Sequence, residues 1–286
     1  MILTASGTYT EPLCALCNAA RGSVKYAYSD IKIIRCEQCG LWRTCPRLPL
    51  DKLIAYYAEH YYSDEIEQRG QYDQWRATHR DVWAVNAQVV KKEALQRGLG
   101  SAGSFSLLDV GSGHGFFVEE CVALGIRARG IETSPQAVAY ACETLKLDVR
   151  PIPLDELPAS EMYDVITLWG VLEHVPNPLE TMKQVYAHLN PGGMTWVMTP
   201  NTNAVERFVN GANYFNFLNK SHLTHFHRST LRELLQRAGF QNVKRYLHWG
   251  GGTRHGLGAA AQYVARVLCL GTELRFIGEK AGRPGA

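Results

Sequence analysis

Four of the eight cysteines stand in two C-x-x-C pairs, Cys14 with Cys17 and Cys36 with Cys39, with 18 residues between the pairs. Cysteines three apart can aim both thiolates at one ion. Two such pairs complete a tetrahedral sulfur site, and this spacing is that of a zinc ribbon. A disulfide reading needs an oxidising compartment, which nothing in the chain suggests, and an iron–sulfur cluster is the other alternative. A four-thiolate site has no open position, so zinc here would be structural. Residues 1–49 are too few to bury much core, and the metal would supply their folding energy. Cys45 reads as a spare thiol. Cys121, Cys142 and Cys269 lie in apolar contexts and read as core.

The second chemical feature is the run Asp109-Val-Gly111-Ser-Gly113-His-Gly115. Glycines let a backbone turn sharply and approach a ligand, with the following helix N-terminus facing the site. Glu132 lies 23 residues after Asp109, where a carboxylate can accept two hydrogen bonds from a ribose diol. Nicotinamide, flavin and S-adenosylmethionine (SAM) folds all use such a loop. The G-x-G-x-G spacing favours SAM. So does Asp109, which can reach an amino-acid ammonium but would repel a pyrophosphate.

Elements to position these residues can be read around them. Ser106–Val110 reads as a buried strand, followed by the apolar helix pattern of Phe116, Phe117, Val118, Cys121, Val122 and Leu124. Residues 128–131 form a second strand, after which Ser134 and Pro135 cap and start a helix. Before the loop, Leu53, Tyr56, Tyr57, Tyr61 and Tyr62 fall at helical spacing. A longer pattern from Trp75 to Leu95 ends at Gly98, with residues 100–104 as a linker. These helices pack on the next domain in the simplest reading, while Tyr62 is a candidate to cover a bound nucleotide.

Composition bounds the rest. With 46% hydrophobic and 20% charged residues among 286, the chain is globular rather than disordered. A net charge of +3 is too small to argue for nucleic acid. The first twenty residues lack the pattern of a secretory signal. The longest weakly polar stretch, residues 256–265, falls short of the ~20 residues a bilayer span needs. A cytoplasmic protein is expected.

The motifs taken together resemble the class I SAM-dependent methyltransferases, particularly the bacterial small-molecule type. The resemblance covers residues 106–280 and rests on Leu107-Leu-Asp-Val-Gly-Ser-Gly-His-Gly115, Gly130-Ile-Glu132, Tyr163-Asp-Val-Ile-Thr167, Leu172-Glu-His-Val-Pro-Asn-Pro178, Leu189-Asn-Pro-Gly-Gly193 and Thr199-Pro-Asn201. The leading cysteine pairs, with Gly40-Leu-Trp and Tyr61-Tyr62, resemble the zinc-knuckle lead of one branch of these enzymes. The fold implied is α/β: a Rossmann-like, mostly parallel sheet with an antiparallel last strand, carrying a small N-terminal zinc ribbon. Residues 1–50 would be the ribbon, 51–104 a helical lead, and 105–286 the catalytic domain with a lid at 201–228.

The resemblance also implies roles. Gly111, Gly113 and Gly115 line the methionine part of SAM, Asp109 lies near its ammonium and Glu132 binds its ribose hydroxyls. The family often has an Asp near the adenine amino group. Here Pro153 stands in that place, so adenine is expected to be read by backbone around Leu154, with Asp155 a lesser substitute. The strand at residues 165–168 ends at the switch point, so Trp169 to His174 faces the methyl group. Trp169 either stacks on the cofactor or fills the core. Glu173 and His174 are the catalytic candidates, since an imidazole of ordinary pKa near 6.5 suits removal of a proton at neutral pH. The alternative is that His174 only ties its loop to the next helix. Similar ubiquinone-pathway O-methyltransferases hold a divalent metal with Glu-x-x-Glu-His in this loop. Here the first acid is Gly170, which puts metal assistance in doubt.

Residues 201–220 are rich in Asn and aromatics, namely Phe208, Tyr214, Phe215 and Phe217, and suit a lid over a ring or chain. Then come three histidines within six residues. His222 reads as a base or acceptor-binding residue, and His225 and His227 as supports for a helix at 231–238 with Ser229 as its N-cap. A three-histidine metal site is the weaker reading. Strands at 243–248 and Glu273–Glu279, with an apolar helix at 258–270 between them, would close the fold. That helix is a candidate core element, pocket cover or homodimer contact.

The expected function is transfer of the SAM methyl to an O, N or C nucleophile of a small metabolite. RNA methylation through the ribbon is a second reading, opposed by the near-neutral charge. A non-catalytic recruitment protein is a third.

Overall fold

The computed structural model describes residues 13–47, 72–100, 104–247, 268 and 270–282. The expected helical positions of Leu53 to Tyr62, Tyr62 itself, Cys269 and most of the 258–270 helix lie outside the described residues.

The cysteine-bearing segment folds as three antiparallel strands, β1 (Gly22–Ala27), β2 (Lys32–Cys36) and β3 (Trp42–Cys45). Each C-x-x-C pair is followed by a residue in the left-handed region, Asn18 at φ 57° and Gly40 at φ 78°. Asn and Gly are the residue types that enter this region readily. The turn thus closes both knuckles in the same way.

A helix, α1 (Tyr72–Gln96), leads into the main sheet and ends ahead of Gly98 at φ 69°. The core order is β4 (Ser106–Val110), α2 (Phe116–Ala123), β5 (Arg127–Ile131), α3 (Pro135–Ala139), β6 (Val149–Arg150), β7 (Tyr163–Trp169), α4 (Pro178–Ala187) and β8 (Leu189–Pro200). Short helices α5 (Val205–Asn210) and α6 (Phe215–Leu218) and strand β9 (Thr224–His225) follow. The chain closes with α7 (Arg228–Arg237), β10 (Gln241–Arg245) and β11 (Glu273–Glu279). The seven-stranded sheet has the order β10-β11-β8-β7-β4-β5-β6. Strands β4 to β8 are parallel neighbours, and β11 runs antiparallel to both β8 and β10.

Alternation along the strands divides the core into two faces. Leu107, Val165, Trp196 and Ile277 pack with Ala87, Val90 and Ala94 of α1 and Phe117 and Cys121 of α2. Their neighbours Leu108, Ile166, Val197 and Phe276 pack on the other face with α4 and α7. Cys14, Leu16, Cys36 and Leu41 join that second face, so the cysteine segment shares a core with the main sheet.

Ser134 caps α3 by accepting from the Ala137 N–H, with Pro135 at the first turn as the sequence predicts. Strand β8 runs from Leu189 to Pro200, with Asn190-Pro-Gly-Gly193 inside it. Two boundaries differ from the reading. Strand β10 lies at Gln241–Arg245, ahead of the expected 243–248. The N-cap of α7 is His227, whose N–H donates to Thr230 Oγ1 at 3.0 Å, while Ser229 sits inside the first turn.

The largest departure is β9. It pairs antiparallel with β3, Trp42 opposite His225 and Arg43 opposite Thr224, so the cysteine sheet is completed by a strand from the region after β8. His225 therefore supports this joint and not α7. Its Nε2 lies 3.0 Å from Thr44 Oγ1. Phe217 of α6 stacks on Trp42 at 5.6 Å between ring centroids, and Tyr214 is buried beside it, whereas Phe208 and Phe215 are exposed.

Candidate functional site

Strand order reverses at β4, so the crevice lies beyond the C-terminal ends of β4 and β7. The turn after β4 carries Gly111, Gly113 and Gly115 at φ 65°, 54° and 80°. A Cβ on Gly111 would meet Val171 Cγ2 at 2.8 Å, so glycine there lets the loops after β4 and β7 close on each other. Asp109 is buried at the end of β4 and accepts a 2.6 Å hydrogen bond from Thr167 Oγ1 on β7. Burial pushes its carboxyl up to about 8, ahead of the nearby Glu132 charge. Glu132, at the end of β5, accepts from the Gly113 N–H at 2.9 Å on one oxygen and from Thr133 and Ser134 N–H at 2.7 and 2.9 Å on the other. It locks the glycine loop to the next strand, and the oxygen with one partner keeps acceptor capacity for a ligand.

Beyond β7, Gly170 at φ 70° opens the loop that carries Glu173 and His174. An acid in place of Gly170 would be strained in this left-handed conformation. Glu173 is buried and accepts from Thr199 Oγ1 at 2.9 Å. Burial raises its carboxyl to about 7 against the lowering effect of that hydrogen bond. His174 Nδ1 faces the Ser221 carbonyl at 3.1 Å, so Nδ1 carries the proton. Its ring lies edge-on to His222 at 4.7 Å between centroids. Burial lowers His174 to about 3, with the His222 ring adding to the effect, and lowers His222 to about 4. The ordinary imidazole value expected from sequence is therefore displaced in both rings, and Glu173 is the group nearest neutrality.

Glu173, His174 and His222 offer ligand atoms within 4.8 Å of one another, a trio that could hold a metal ion. Asn219 argues against that use. Its Oδ1 accepts from Ser221 N–H and Oγ, which leaves its Nδ2 to donate to His222 Nε2 at 3.2 Å. The His222 lone pair is then engaged, and the trio fits acid–base chemistry better than an ion. Glu173 and His222 also line a tight recess with Thr202, Asn216, Tyr214 and Phe217 among others.

In the cysteine segment, Cys14, Cys17, Cys36 and Cys39 bring their Sγ atoms within 4.8 Å of one another. Tetrahedral zinc with bonds of about 2.3 Å fits inside such a set. Backbone N–H groups of Cys39 and Gln38 draw Cys36 down to about 7 against its burial, whereas burial raises Cys14 and Cys39. Four thiols so close ionise together only with a cation among them.

A family profile described as a methyltransferase domain matches residues 54–245. The chain belongs to the class I SAM-dependent methyltransferases. Among curated relatives, the ubiquinone biosynthesis O-methyltransferase of Bordetella pertussis is 32% identical over 116 residues, 38% of this chain and 48% of that protein. That of Paraburkholderia xenovorans is 31% identical over 146 residues, 44% of this chain and 63% of that protein. The chain thus spans about half the length of the first of these relatives. Two solved structures share the fold. The 1,6-didemethyltoxoflavin-N1-methyltransferase of Burkholderia thailandensis, holding its acceptor and S-adenosylhomocysteine, is 16% identical with a TM-score of 0.55 over 91% of this chain and 99% of that one. The plantazolicin methyltransferase BpumL, holding S-adenosylhomocysteine, is 14% identical with a TM-score of 0.54 over 80% and 97%.

Within this methyltransferase, the remaining site residues fall in different surroundings. Trp169, the last residue of β7, packs with Phe117 at 5.1 Å and with Trp83 and Trp196, contacts that support its core role. Leu154 is buried in a short 3-10 turn facing the α4 side, and Asp155 is exposed. Sequence reasoning missed Thr167, Thr199 and Asn219, single polar residues whose partners lie on other strands or loops. It also missed Thr44 and Arg47, whose partners lie about 130 to 180 residues away.

Proposed function

We propose that this methyltransferase transfers the SAM methyl to an O–H or N–H group of a small molecule, with Glu173 as the general base. The observation that carries the reading is a buried carboxyl in the loop after β7, hydrogen-bonded to Thr199, within ligand distance of two histidine rings and raised to about 7. A base of that pKa matches proton removal at neutral pH. SAM would lie across the glycine loop, its ammonium at Asp109, its ribose at Glu132 and its adenine along the backbone near Leu154. His174 and His222, both neutral, would orient the acceptor, His222 from the recess it lines with Glu173. The sulfonium is already activated, so the protein aligns the pair, removes the proton and excludes water. The names of the curated relatives, ubiquinone biosynthesis O-methyltransferases, support O-methylation.

The four cysteines would hold one zinc ion, which when bound supplies folding energy and no catalytic step.

Isotope-labelled SAM and a panel of catechols, phenols and amines, followed by mass spectrometry, tests the reading. A methylated product is expected, formed slowly by Glu173→Gln. An unchanged rate in Glu173→Gln would remove Glu173 as the base.

A further inference from the structure

We propose that Arg47 is a positioning residue that clamps the Glu173–His174 loop to the His222 segment from the cysteine sheet. Arg47 lies just after β3 and is buried. Its Nη1 donates to the Pro176 carbonyl at 2.9 Å, in the loop after β7. Its Nη2 donates to the Leu223 carbonyl at 3.0 Å and to Thr224 Oγ1 at 3.2 Å, in the segment entering β9. One guanidinium therefore spans the two stretches that carry the acid–base trio. A planar fork of donors suits this bridging, and an ammonium on a flexible stem does not reproduce it.

The clamp reaches the trio in one further step. Leu223 and Thr224 N–H both donate to the Glu173 carbonyl, at 2.7 and 3.1 Å. Thr44, three residues before Arg47, reinforces it: its Oγ1 donates to the His222 carbonyl at 2.6 Å and its N–H to the Leu223 carbonyl at 3.1 Å. Burial and the neighbouring Arg43 lower Arg47 to about 10, which leaves it charged at neutral pH. A buried cation answered by carbonyl and hydroxyl oxygens is costly unless its geometry is needed. The cysteine sheet thus acts on the site by setting where His222 stands relative to Glu173 and His174. Its importance for turnover rests on the acid–base reading above, but the clamp can be tested without an acceptor.

The experiment compares wild type, Arg47→Lys, Arg47→Met and Thr44→Val by amide hydrogen exchange, histidine-ring ¹⁵N shifts and SAM titration. In Arg47→Met, Leu223 and Thr224 N–H should exchange roughly 10- to 100-fold faster. The ring shifts of His174 and His222 should move from the single Nδ1–H form toward averaged tautomers, with SAM affinity unchanged. Arg47→Lys should restore part of the protection. Thr44→Val, which removes only a hydroxyl, should loosen the same amides less. A folded Arg47→Met or Arg47→Lys with wild-type exchange and ring shifts overturns the clamp. Should Arg47→Met not fold, the lysine and Thr44 variants decide. Loss of SAM binding by wild type would instead contradict the cofactor reading and leave the exchange result to judge the clamp.

Discussion

In the proposed mechanism two carboxyls, Asp109 and Glu173, and two imidazoles, His174 and His222, carry the chemistry, and burial moves all four from their ordinary values. Asp109, raised to about 8, is mostly protonated at pH 7 without ligand. An ammonium beside it would favour the anion, so SAM binding at pH 7 should release close to one proton. Titrations in two buffers of different ionisation enthalpy measure this. A heat independent of buffer would contradict it, and Asp109→Asn should abolish the dependence. Glu173 gives the second prediction at this scale. With its carboxyl near 7, methyl transfer should rise about tenfold per pH unit below 7 and level above it. Glu173→Gln should lower the rate roughly 10²-fold or more and flatten the profile. The positions of Asp109, Glu132, Glu173, His174 and His222 were legible from motif and order. Their protonation was not, because an imidazole's pKa follows first from its burial and then from its neighbours: the His222 ring and the Ser221 carbonyl for His174, the Asn216 backbone for His222.

At the scale of elements, the joint between β3 and β9 matters most. Strands β4 and β11 fall on the expected residues because buried strands show unbroken apolar runs or alternation. Strand β9 is only two residues long, with no pattern of its own, and its partner is about 180 residues away. The joint makes a prediction about metal. Chelating zinc, or replacing Cys39 by Ser, should lower the melting temperature by several degrees or more and speed amide exchange in β9 before that in β4. Equal protection of β9 with and without metal would show that the cysteine sheet stands without its ion. The capping of α7 by His227 and Thr230 escaped the reading for a similar reason, since a serine two residues later matched the usual cap signal.

For the whole molecule, buried titratable groups set the pH range of stability. His114, His174, His222, His225 and His227 are all lowered by burial. Each contributes stability that is present above about 6.5 and lost as pH falls. Asp109 and Glu173 are raised and act oppositely: their contribution is full below about 4 and lost as pH rises to 7–8. Between about pH 6.5 and 4.5, five histidines oppose two carboxyls, so acidification should lower the melting temperature, as scanning calorimetry would record. The seven described cysteines also divide by surroundings: four within one cluster, with Cys45 and Cys121 buried elsewhere and Cys142 half-buried. The central claim is that one crevice, formed by the loops after β4 and β7, binds SAM for methyl transfer. Isothermal titration of the intact protein with SAM tests this most directly. One site of micromolar affinity, lost in Glu132→Ala and kept in His174→Ala and His222→Ala, is the result expected. No binding by the folded, zinc-loaded protein would contradict it.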